Sequence, residues 1–145
     1  MRIVESEHPL SMSNFELRKV DYLSELDRVP SEGLNLTENE IEGVLVVYTG
    51  QQGSHMLSVI PSLNVSGYGN TEEDSINALK ENLETLFVDL FEVSKLQRQK
   101  ELFNLGWRTA PDLSIHLSWS NQDEASVLQN FDFPERVKTS ILQAA

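Results

Sequence analysis

The sequence predicts an α+β protein in which an antiparallel β-sheet carries a long helix, or a helix pair, on one face. Three observations carry this expectation. Val44-Leu-Val-Val-Tyr48 is a continuous β-prone run. His55 to Ile60 alternates, with His55, Leu57 and Val59 on one face and Met56, Ser58 and Ile60 on the other. From Ile76 the apolar residues change to a spacing of three and four, which is helical. The 145 residues fit a single domain. A chain of that size buries roughly 68–70% of the surface it exposes when unfolded, enough for a core.

Residues 1–42 hold ten acids and four bases and read as an N-terminal extension. Within it, Phe15 to Leu23 shows a brief alternation and a partial helical stripe, and a strand is expected. Pro30-Ser-Glu-Gly33 reads as a turn, and Asn35 to Glu42 as an acidic connector. The core is expected over 43–119. Thr49 to Ser54 supplies a glycine-containing hairpin loop between the first two strands. Pro61 lacks a backbone donor, so it ends the second strand or sits at an edge. Leu63 and Val65 begin a third, short strand, and Gly67-Tyr-Gly69 turns the chain.

Thr71 is a good helix N-cap, followed by Glu72, Glu73 and Asp74, whose charges complement the helix dipole. The apolar stripe runs through Ile76, Leu79, Leu83, Leu86, Phe87, Leu90 and Phe91. Leu96, Leu102, Phe103 and Leu105 continue it or form a second helix, with Gly106 as the C′ residue. Leu113 to Trp119 alternates like a half-buried strand, and Trp107 and Trp119 read as core anchors. Residues 120–145 read as a C-terminal tail. A short helix or turn opens at Ser120, Pro134 breaks it, and Val137 to Leu142 is a last strand or a helical end.

With 23 acids against 11 bases the net charge is −12. That field repels phosphate backbones and attracts basic partners, so direct nucleic-acid binding is not expected. There is no cysteine, which excludes disulfides and thiol chemistry. The opening residues lack the apolar run of a signal peptide, and no stretch approaches the ~18 apolar residues of a membrane span. A cytoplasmic protein with no membrane contact is expected.

His8, His55 and His116 have no partner at helical ligand spacing, although His55 and His116 would meet if their strands were neighbours. No acidic residue occurs between Val44 and Ser66, where a metal-dependent nuclease would need clustered carboxylates. Gly67-Tyr-Gly69 lacks the remainder of a phosphate-loop motif, and three acids follow it directly. Lys95, Arg98, Lys100 and Arg108, against the single acid Glu101, make one positive segment. It is a candidate partner or self-association patch, or else the solvated face of a helix.

Ile60-Pro-Ser-Leu-Asn-Val-Ser-Gly-Tyr-Gly-Asn-Thr-Glu-Glu73, followed by Ala78-Leu-Lys-Glu-Asn-Leu83, resembles the HicB-like antitoxin superfamily. Pro61, Leu63, Val65, Gly67, Gly69 and Thr71 match the family pattern in order, and the resemblance covers roughly residues 44–107. It implies a degenerate RNase H-like β-β-β-α-β fold without nuclease residues, homo-oligomeric, binding a small basic RNA-cleaving toxin. The expected function is therefore a non-enzymatic protein-binding module, with no cofactor and no metal. A small acidic chaperone of the secretion type shares the same length, charge and self-association, as does a HicB-like protein with some other partner.

Overall fold

The computed structural model describes residues 15–19, 32–37, 40–110, 116–119 and 124–144. It is α+β, with helices packed on a mixed-length antiparallel sheet. In chain order the elements are β1 (Phe15–Lys19), β2 (Glu32–Leu36), β3 (Ile41–Gln52), β4 (His55–Ile60), a 3₁₀ turn (Pro61–Leu63), β5 (Val65–Gly69), α1 (Glu72–Glu92), α2 (Lys95–Asn104), β6 (Arg108–Thr109), β7 (Leu117–Trp119), α3 (Glu124–Leu128), a second 3₁₀ turn (Pro134–Arg136) and β8 (Lys138–Ala144).

The sheet is organised around β3. β8 runs along it from Gly43 to Thr49 and carries β1 on its far side. Two strands share the other edge: β2 takes residues 41–44 and β4 takes residues 48–52. The sheet therefore forks beside Leu45–Val47. β7 and β6 continue the branch that begins with β2, and β5 continues the branch that begins with β4. Layers on both faces explain why β3 reads as an unbroken apolar run. Leu45, Val46, Val47 and Tyr48 are all buried. Leu45 and Val47 join Ile60, Leu79, Leu83, Phe87, Leu102 and Trp107 in the larger core beneath the helices. Val46 and Tyr48 join Leu57 and Phe131 on the opposite face.

Several sequence expectations change. The acidic turn at Pro30–Gly33 gives way at Glu32 to a strand, and the connector at 35–42 is occupied by the ends of β2 and β3. Residues 138–144, read as part of a tail, insert between β1 and β3. Both end segments thus contribute strands to the core sheet. The hairpin loop shrinks to Gly53–Ser54, because β3 runs on to Gln52. Leu63 closes a 3₁₀ turn, with Asn64 left-handed after it, and the third strand begins at Val65.

Gly67 and Gly69 do not turn the chain. They lie inside β5, under the first turns of α1. A Cβ on Gly67 would stand 2.3 Å from the Leu79 backbone nitrogen, and one on Gly69 would stand 2.6 Å from that of Ser75. The glycines let a helix rest directly on strand backbone. By contrast, Gly106 does stop a helix, with φ +108°. Its N–H donates to the Phe103 carbonyl (3.0 Å) and the Trp107 N–H to the Leu102 carbonyl (3.0 Å), a Schellman closure that folds buried Trp107 back over buried Leu102.

Gly67→Ala forces helix backbone away from the strand, since backbone atoms cannot rotate aside as a side chain does. The expected loss in urea denaturation is about 3 kcal/mol, at the upper end of overpacking costs. A loss below about 0.5 kcal/mol, the scale of ordinary surface changes, would show that the close approach is not maintained.

Candidate functional site

The six residues of the sequence motif are brought together as one strand-to-helix junction. Pro61 opens the 3₁₀ turn, Leu63 and Val65 bury into the main core, Gly67 and Gly69 lie beneath α1, and Thr71 caps it. The Thr71 hydroxyl accepts from the Asp74 N–H (3.0 Å). A buried chain of hydroxyls fastens the same junction from inside. Thr49 Oγ1 and Ser58 Oγ lie 2.8 Å apart, as do Ser58 Oγ and Ser75 Oγ, and Ser75 Oγ donates to the Glu72 carbonyl (2.8 Å). A carbonyl has no proton to give and each hydroxyl has one. The direction is therefore set: Thr49 donates to Ser58, Ser58 to Ser75, and Ser75 to Glu72.

Sequence reasoning missed the most unusual side chain. Glu32 is 3% exposed. Its Oε1 accepts from the Val46 N–H (2.9 Å) and from the Ser62 hydroxyl (2.9 Å). The Val46 N–H lies within the fork, between the residues of β3 that pair with β2 and those that pair with β4. The carboxyl takes the place of a missing strand. Ser62 extends the link, because its carbonyl accepts from Trp107 Nε1 (2.8 Å). Burial pushes the Glu32 carboxyl up from 4.5 to about 7, against the two hydrogen bonds, which pull it down. A signal for this was present in the sequence: Glu32 shares strand parity with Leu34 and Leu36, whereas Pro30 and Gly33 favoured a turn.

The positive segment divides in two. Arg98 folds back on α1, its Nε donating to the Leu90 carbonyl (3.0 Å) and its guanidinium 4.4 Å from the Phe91 ring centroid. There it satisfies a helix-end carbonyl, a structural role. Arg108 Nη1 donates to the Phe103 and Trp107 carbonyls (3.0 and 2.7 Å). Lys95 and Lys100 are exposed. Trp107 is fully buried, and half-buried Trp119 packs against the same core and donates to the Leu105 carbonyl (2.9 Å).

His8 lies outside the described residues. His55 and His116 are exposed and do not come together through strand pairing: β4 pairs with β3 and β5, while the strand after His116 pairs with β2 and β6. Among the described residues, no three of His, Cys, Asp and Glu gather where they would hold a metal ion. No helix among them is long and apolar enough to cross a membrane.

Among the described residues, two surfaces are candidates for recognition. One is a groove of about 320 Å³ between the β4–β5 hairpin and α3, with Leu57, Val59 and Val127 among its apolar lining and Gln52, Tyr68 and Asn130 among its polar lining. The other is the solvent face of α1, where Glu73, Asp74, Glu81, Asp89 and Glu92 are exposed and Lys80 is the sole base of the helix. No family model matches the chain, and neither the curated proteins nor the solved structures return a match.

Between pH 4.5 and 7 the folded state retains a proton on Glu32 that the unfolded chain has released. Its contribution is therefore greatest below pH 4.5 and is lost as pH rises through about 7, a change of about 3 kcal/mol. Glu32→Gln keeps an Oε1 acceptor for Val46 and Ser62 without a titrating proton. Urea denaturation over pH 4–8 should show the variant gaining on the wild type as pH rises. Parallel curves would remove the buried-carboxyl assignment. Ser58→Ala breaks the hydroxyl chain at its centre and should cost about 1–3 kcal/mol in the same assay.

Proposed function

We propose that this chain is a non-catalytic protein-binding module of the HicB-like type, which neutralises a small basic RNA-cleaving toxin by covering it. The observation that carries the reading is the ordered set Pro61, Leu63, Val65, Gly67, Gly69 and Thr71, which matches the family pattern and forms one continuous sheet-to-helix junction. Its composition explains what such a junction is for. The residues are a helix starter, two core anchors, two glycines for close packing and a cap, and none is a nucleophile or a general base. They build a platform.

What the platform carries is charge. The net charge is −12, and α1 displays five exposed carboxylates along its length. A negative exterior steers a basic protein into encounter and disfavours acidic competitors. Steric cover of a toxin's RNA-binding face then suffices for neutralisation, with no bond made or broken. The deeply buried acid Glu32 is engaged with Val46 and Ser62 inside the fold.

Affinity capture from native lysate at low salt should recover one small basic protein in stoichiometric amount, released as salt is raised. Adding the chain back should suppress RNA cleavage by that protein. A heterogeneous set of unfolded clients would favour the chaperone reading instead. Magnesium- or manganese-dependent RNA cleavage by the purified chain, abolished by alanine substitutions within it, would overturn the non-catalytic reading.

A further inference from the structure

We propose that the outer edge of β5 is a docking site for an extended, uncharged segment of another protein, which adds a strand to the sheet and lays apolar side chains into the groove beside α3. Strand pairing fixes which backbone groups that edge offers. The two-residue loop Gly53–Ser54 joins the pair Gln52–His55, and a loop of that length closes on a hydrogen-bonded pair. Hydrogen-bonded pairs then recur at every second residue. His55, Leu57 and Val59 bond towards β3, and Met56, Ser58 and Ile60 bond towards β5. On β5 their partners are Gly69, Gly67 and Val65. The N–H and C=O groups of Ser66 and Tyr68 therefore point away from β4. The Ser66 carbonyl agrees with this, because it accepts from Asn82 Nδ2 of α1 (2.7 Å). Among the described residues β5 pairs with β4 alone, and both Ser66 and Tyr68 are exposed. Among those residues, the Ser66 N–H and both backbone groups of Tyr68 are left for a further strand.

Edge strands are ordinarily guarded by charge or proline. β1 carries Glu16, Arg18 and Lys19, and β6 carries Arg108, whereas Val65-Ser-Gly-Tyr-Gly69 carries neither. Side chains decide the chemistry of the occupant. Ser66 and Tyr68 lie opposite Val59 and Leu57, so all four share the face of the sheet turned away from α1. An added strand places its residues opposite Ser66 and Tyr68 on that same face. Ser66 is small, so a long side chain opposite it leans across to half-buried Val59 and Val127. A fixed polar bridge closes one end of the groove: the Tyr68 hydroxyl donates to Gln52 Oε1 (2.9 Å), and Gln52 Nε2 donates to the Asn130 carbonyl (2.7 Å). No charged side chain lines the groove, in a chain of net charge −12. A charged residue entering it would lose hydration and gain no counter-ion, whereas an apolar one buries against Val59 and Val127. The occupant is thus a strand with uncharged, apolar residues at alternate positions. The site makes no use of the α1 carboxylates and is independent of the basic partner.

The test is an NMR titration of the isotope-labelled full chain with a capped seven-residue peptide that alternates leucine and threonine. The Ser66 and Tyr68 amide signals should move downfield, as amides do on gaining an acceptor. The dissociation constant should change less than about 2-fold between low and high salt, since no ion pair forms. Methylating alternate peptide nitrogens removes the donors along one edge of the peptide only. One of the two alternate sets should weaken binding on the order of 10-fold, the scale of one or two lost hydrogen bonds, and the other should leave it within about 2-fold. Lysine in place of leucine should weaken binding at high salt on the order of 10-fold. Ser66 and Tyr68 signals that stay still at the peptide's solubility limit, equal losses from both methylated sets, or binding released by salt would overturn the proposal. So would shifts at Ser66 and Tyr68 that follow the concentration of the chain itself without peptide, which would give the edge to a second copy. Capture of the basic partner is released by salt and this binding is not, so the failure of one reading is distinguishable from the failure of the other.

Discussion

The N–H of Val46 belongs to a central strand whose partners on one edge part company on either side of it. β2 ends its pairing at Val44 and β4 begins at Tyr48. A buried backbone donor left without an acceptor costs about 1–3 kcal/mol, so a forked sheet must supply one. Glu32 does so from the neighbouring branch, and the same oxygen holds Ser62, whose carbonyl in turn holds Trp107. One carboxyl thereby ties β2, β3, the 3₁₀ turn and the end of the helical layer. Much of the fold follows from that junction. With the fork closed, β3 can be buried on both faces, and the two cores can sit on opposite sides of one strand.

The helical layer depends on a second close fit. α1 approaches β5 at the distance allowed by glycine and serine, and the space a larger residue would occupy is filled by helix backbone. The buried hydroxyl chain from Thr49 to Ser75 uses the same proximity, because its 2.8 Å links exist only while sheet and helix stay in register. Polar groups inside a fold specify one arrangement when every member is satisfied. Here Ser58 and Ser75 each accept one hydrogen bond and donate another, and the last proton ends on the Glu72 carbonyl. The first turn of α1 is thereby held from within by Ser75 and from outside by Thr71.

These constraints also separate structural from surface chemistry. Arg98 and Arg108 are drawn into backbone carbonyls at helix ends, while Lys95, Lys100, Leu96 and Phe103 remain exposed around them. The carboxylates divide likewise. Glu32 is spent inside the sheet, and those on the outer side of α1 face water. Among the described residues, the outer side of α1 is negative, and α2 sets exposed Lys95 and Lys100 beside exposed Leu96 and Phe103.

The sequence alone determined what short-range chemistry can encode. Thr71 capping, the stripe from Leu79 to Leu90, the stop at Gly106 and the buried run Leu45–Tyr48 each arise within a turn or two of chain. Only tertiary structure decided which distant segments pair. β8 lies between β1 and β3 although its own residues fit a strand or a helical end equally well, and its choice rests on partners about a hundred residues away. The glycines of β5 looked like a turn because an isolated sequence contains no helix lying against them. Glu32 looked like surface for the same reason: its burial is created by a fork between strands that are not neighbours in sequence.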